Sequence, residues 1–142
     1  MREVFLSHAS QDDASARRLR ELLVAHGIPV WFSPHHIRAA QQWHDEIGAA
    51  LERCRWFIVL LTPHAVKSMW VQRELKFALM EKRYQDRIIP LLFKKCDFRS
   101  LSWTLPQLQM IDFTKDYWQG CSELLKVWKK RLRKKSEENQ KT

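Results

Sequence analysis

The unbroken apolar run Trp56 Phe57 Ile58 Val59 Leu60 Leu61, entered from Arg55 and closed by Thr62 and Pro63, constrains the fold more than any other stretch. A strand with one wet face alternates apolar and polar residues, so a run without a polar break needs cover on both faces. That requirement suits the centre of a parallel sheet. Weaker versions flank it. Glu3 Val4 Phe5 Leu6 Ser7 and residues 87–93 read as strands, and Ile28 Pro29 Val30 Trp31 Phe32 as another, with its proline at the start, where a missing ladder donor is tolerated. Residues 109–113 read as a short edge strand.

Helical periods fill the gaps. Ser10, with Asp13 three residues on, is a carboxylate variant of the capping box; Ala16, Leu19, Leu22, Leu23 and His26 then recur on one face, and Gly27 supplies a left-handed stop. Trp43, Ile47, Ala50 and Leu51 mark a second helix. The spacing predicts a third from about residue 67 to 82, capped by Ser68, with Val71, Leu75, Ala78 and Leu79 as its buried stripe. Trp70, Glu74 and Phe77 fall on the stripe's shoulder, where a side chain is half covered yet reaches a cleft. Leu124, Leu125, Trp128 and Leu132 give a terminal helix running to about residue 135, followed by a polar tail or linker over 136–142. Strands and helices in this alternation define an α/β domain, a parallel sheet with helices on both faces.

With 142 residues there is room for one such domain, and no apolar run approaches the roughly 20 residues of a membrane span. The chain enters its first strand at once, so no secretory signal segment is expected. Cys54, Cys96 and Cys121 are odd in number and lack a Cys-x-x-Cys pair, which argues against a disulfide framework or zinc site and makes the reducing cytoplasm the expected compartment. His35, His36 and His44 lack helical spacing and an acidic or thiol partner, so no metal is expected. Much of the net charge of +9 lies in Lys126, Lys129, Lys130, Arg131, Arg133, Lys134 and Lys135. The main reading is the solvated face of a packed helix; nucleic acid or an anionic membrane is the alternative, unsupported by any base-reading spacing.

Glu74 is the chief candidate for chemistry. It follows Trp70 by one helical turn just past the carboxyl end of the central strand, where ligands of open α/β sheets bind. The irregular loop from Ser33 to Gln41 lies at the same sheet edge, where loops carry function.

Val4 Phe5 Leu6 Ser7 His8 Ala9 Ser10 Gln11 Asp12, Gly27 Ile28 Pro29 Val30 Trp31, the loop to Trp43, and Trp70 Val71 Gln72 Arg73 Glu74 Leu75 resemble, in order, the successive boxes of a Toll/interleukin-1 receptor (TIR) domain, bacterial in type. The resemblance spans nearly the whole chain, residues 1–135. It implies a flavodoxin-like three-layer sandwich with a five-stranded parallel sheet. Some members cleave NAD+, and their motif puts a glutamate four residues after a tryptophan, which here falls on Glu74 and Trp70. It thus implies an NAD+ nucleosidase, glycohydrolase or cyclase, with Glu74 catalytic and NAD+ as substrate, not cofactor. Ser7, His8 and Ala9 would meet the nucleotide at the first strand's exit, although His8 also reads as a surface residue. Trp43 resembles the aromatic beside the nicotinamide end, and reads equally as a helix-start core residue. Trp70 either touches substrate or supports Glu74.

The resemblance further implies activation by self-association through the Ser33 to Gln41 loop, and a part in defence or stress signalling. The loop departs from the family pattern: it lacks the usual acidic residue at its start and a glycine before the aromatic, so it has fewer backbone states in which to open and close. A non-catalytic interaction module is the other reading. Nicotinamide release lost in Glu74→Ala and kept in a surface control such as Glu52→Ala would separate the two. Hydrolysis and cyclisation stay open, because water or an adenosine atom would capture the same sugar cation.

Overall fold

The computed structural model describes residues 3–32 and 40–133, the side chains of 40–44 excepted. Five parallel strands, β1 (Val4–Ser7), β2 (Val30–Phe32), β3 (Trp56–Leu61), β4 (Ile88–Leu92) and β5 (Ile111–Asp112), form one sheet in the order β2-β1-β3-β4-β5. The apolar run is β3, paired on both sides, as its lack of polar breaks requires.

Strand parity sorts the side chains into two cores. Val4, Leu6, Ile58, Leu60, Ile89 and Leu91 pack beneath α1 (Asp13–Ala25) and α5 (Tyr117–Lys126). Phe5, Phe57, Val59, Leu61 and Ile88 pack beneath α2 (Ala40–Arg53), the short α3 (Pro63–Lys67) and α4 (Met69–Met80). The result is the flavodoxin-like three-layer sandwich. Because successive strand residues point to opposite faces, Ser7 joins Phe5 on the α2–α4 side and His8 falls on the α1 side. The order reverses between β1 and β3, the switch point at whose carboxyl edge such sheets bind ligands.

Three local expectations change. Ser10 does not cap α1: its hydroxyl bonds Gln11 at 3.2 Å and a 3-10 turn over Ser10–Asp12 intervenes, while the Asp13 carboxylate serves His8 and Arg17 instead. The third predicted helix is two helices, because Thr62 caps α3 and Ser68 then restarts the chain as α4. The terminal helix stops at Lys126. Lys129 takes a left-handed φ of 57°, the Lys130 amide reaches back to the Leu125 carbonyl and that of Lys129 to Lys126, a Schellman ending without glycine. Two anchors hold the reversed segment: Trp128 packs edge-on against Trp56, and the Arg133 amide donates to His26 Nε2 at 3.0 Å. The cationic residues 129–133 therefore decorate a turn, not a helix face. Among the described residues no helix is long and apolar enough to cross a membrane, and no group of three His, Cys, Asp or Glu could hold a metal. Residues 33–39 and the tail over 136–142 lie outside the described residues.

Candidate functional site

Two elements bring the central pair together. Ser7 is the last residue of β1, in register with Val59 of β3, and parity turns it toward α4. On α4, the Ser68 hydroxyl accepts the Val71 amide at 3.3 Å and fixes the register in which Val71, Glu74, Leu75 and Ala78 face inward. The Ser7 hydroxyl donates to Glu74 Oε1 at 2.6 Å, with Ser7 at 0% and Glu74 at 2% exposure. Glu74 is thus deeply buried, not half covered, and Leu79, expected inside, is 36% exposed. The swap has a physical cause: a donor waiting at the strand end makes a carboxylate tolerable where it otherwise would not be.

Glu74 also borders a cleft of about 270 Å³ between α2 and α4. Ile47, Gly48 and Leu51 form one wall; Trp70, Arg73 and Phe77 form the other. Half-buried Trp70 lies one turn before Glu74, and the Arg73 guanidinium sits 5.5 Å from its ring centroid, within cation–π range. Glu52, read from sequence as a surface control, lines this same cleft and cannot serve as one.

His8 and Ala9 are fully buried, and neither lines the cleft. His8 Nε2 donates to Asp13 Oδ1 at 2.9 Å and its ring lies 5.3 Å from that of Phe32, so it clasps the exits of β1 and β2 to the start of α1. Burial pushes the imidazole below its ordinary value, against the partial opposition of Asp13. Desolvation raises Asp13, but hydrogen bonds from His8 and Arg17 outweigh it and hold the carboxyl below the usual range. A second buried carboxylate escaped the sequence reading. Asp12, 6% exposed, accepts from the Thr62 hydroxyl at 2.5 Å, tying the exits of β1 and β3. Thr62 before Pro63 was its only signal, as a helix cap. Trp43 falls in the first turn of α2; its side chain lies outside the described residues.

A cleft walled largely by apolar side chains and bordered by one buried carboxylate can hold a nucleoside and stabilise positive charge on its sugar. The TIR domain family model matches residues 4–125, and the chain belongs to that family. Over 94 residues it is 32% identical to the NAD(+) hydrolase PdTIR of Paracoccus denitrificans (strain Pd 1222), covering 65% of this chain and 31% of that protein. It is 28% identical over 94 residues to the 2' cyclic ADP-D-ribose synthase BtTIR of Bacteroides thetaiotaomicron, covering 66% and 33%. The chain spans about a third of the length of these relatives. Among solved structures, the TIR domain of the Toll-related receptor TRR-2 of Hydra magnipapillata superposes with a TM-score of 0.70 at 21% identity, covering 87% of this chain and 94% of that one. The TIR domains of the activated Roq1 resistosome give 0.70 at 14%, covering 90% and 99%; both likenesses concern the fold.

Proposed function

We propose that this TIR domain cleaves the bond between nicotinamide and ribose in NAD+, with Glu74 as the catalytic carboxylate. The observation that carries the reading is the buried Glu74, held at 2.6 Å by Ser7 at the end of β1 and bordering the cleft between α2 and α4, in a chain whose relatives include a named NAD+ hydrolase. Nicotinamide in NAD+ is already cationic and departs as a neutral base, so no acid is needed to protonate it. Ordinary glycosidases need a second carboxyl group for a poorer leaving group. As the bond breaks, positive charge grows on the ribose, and the Glu74 carboxylate stabilises it or grips the ribose hydroxyls. Water then captures the sugar cation to give ADP-ribose and a proton; capture by an atom of the adenosine half, with loss of any proton that atom carries, gives a cyclic isomer instead.

Trp70 supports Glu74 along the cleft wall, and Trp43 supplies an aromatic face to the pyridinium. Ser7 positions the carboxylate, while His8 and Ala9 shape the strand exit behind it. Self-association through the segment 33–41 activates the domain, and its setting is cytoplasmic defence or stress signalling. Rate per subunit against protein concentration tests the assembly; a flat profile removes it.

Mass spectrometry of the products formed from NAD+, with Glu74→Ala and the exposed α5 residue Glu123→Ala as control, tests the reading. Product from wild type and control but not from Glu74→Ala supports it; product from all three, or from none, overturns it. The second reading, a non-catalytic interaction module, draws on the apolar residues Met69, Phe77 and Met80 exposed along α4, at 58%, 37% and 80%. Self-association unaccompanied by turnover favours it.

A further inference from the structure

The chain has three glycines, and the fold itself accounts for two of them. Gly27 takes a φ of +83° at the end of α1, a conformation other residues avoid. Gly120 faces Phe113, whose ring atoms would lie 2.6 Å from any Cβ placed there. Gly48 has neither reason. It sits inside α2, where glycine weakens a helix relative to alanine, and among the described residues a Cβ on it meets nothing within 4 Å. What it does is line the cleft that Glu74 borders, between Ile47 and Leu51 and together with Trp70.

We infer that Gly48 is a specificity-determining position: its bare backbone is the seat of the planar pyridinium ring whose ribose meets Glu74. This rests on the NAD+-cleaving reading above. A flat ring can lie against helix backbone only where no Cβ intervenes, and close approach of backbone to a ligand is one of glycine's recurring uses. Size agrees. The cleft of about 270 Å³ falls just below the roughly 300–1,000 Å³ typical of small-molecule sites, which suits one nucleoside half and not a whole dinucleotide. Since Glu74 acts on the ribose that carries nicotinamide, that half is the one seated. Ile47 and Leu51 supply apolar contact on either side of the bare stretch, and Trp70, with Arg73 against its ring, closes the opposite wall.

Gly48→Ala and Gly48→Leu test the seat through a split that a packing role cannot produce. Wild type, Glu74→Gln and both variants are compared for thermal unfolding and for nicotinamide release across NAD+ concentrations. Gly48→Ala is expected to melt at or above wild type while its KM rises about fivefold or more with kcat changed less than about twofold, the pattern of lost ground-state binding. Gly48→Leu is expected to stay folded and fail to saturate. Wild-type KM in both variants, with Glu74→Gln inactive, overturns the seat and leaves the NAD+ reading standing. A lowered melting point for Gly48→Ala with unchanged KM also overturns it, by showing a packing role. No release by wild type, or equal release by Glu74→Gln, removes the reading and the seat together.

Discussion

Ser7→Ala removes one oxygen atom from a fully buried position and leaves Glu74 Oε1 without the hydroxyl that lies 2.6 Å away. That distance falls in the range of charge-assisted O–H···O⁻ bonds, and losing a hydrogen bond to a charged group costs about 1.5–3 kcal/mol. For a domain of 142 residues, at roughly 4 °C per kcal/mol, the melting point should fall by about 6–12 °C. A double-mutant cycle isolates the charge. Glu74→Gln keeps a carbonyl oxygen for Ser7 but makes the bond neutral, worth only about 0.5–1.5 kcal/mol, so Ser7→Ala should cost about 1 kcal/mol less in that background. Urea unfolding of the four proteins at pH 7 measures the coupling. A value within about 0.3–0.5 kcal/mol of zero, the scatter of independent sites, refutes the claim that the Ser7 hydroxyl and the Glu74 carboxyl group are coupled.

Burial lowers His8 from its ordinary 6.5, so the unfolded chain takes up a proton first as pH falls below that value. Stability should therefore rise with pH through the window from the folded pKa up to 6.5, and His8→Gln should flatten that slope in urea midpoints measured across it. Gly120→Ala should destabilise the fold by about 1–3 kcal/mol, because the Phe113 ring it would strike is stacked on Phe93 at 4.7 Å and flanked by Tyr117. An unchanged denaturation midpoint would contradict that crowding. Lys129→Gly should stabilise by roughly 0.5–1 kcal/mol in the same assay, since glycine tolerates the left-handed φ of 57° that lysine adopts there.

The sheet was legible because each strand announces itself by what it excludes. Polar residues are missing from 56–61, as burial on both faces demands, and Gly27 stops the first helix where periodicity ends. Glu74 was visible by its place after Trp70, but not its depth. Helical spacing puts it on a shoulder, and it is the Ser7 hydroxyl, arriving from a strand 67 residues away, that meets the carboxylate in the interior. Ser10 misled for a related reason: a local cap competes with tertiary partners, and His8 claimed Asp13 first. At the carboxyl end, the apolar spacing through Leu132 fits a helix as well as a turn that folds the same residues back. Contacts to Trp56 and His26, distant in sequence, decided between them. Gly48 carried its signal openly as an unexplained glycine in a helix, but its meaning required the cleft.

The most direct test of the central claim is the rate of nicotinamide release from NAD+ by concentrated protein, wild type beside Glu74→Gln, with both shown to be folded. The Gln side chain keeps the shape and the Ser7 contact and removes only the negative charge. Loss of one electrostatic stabiliser costs on the order of 10²-fold or more in kcat, and that loss is the predicted result. Equal rates from the two folded proteins would contradict it.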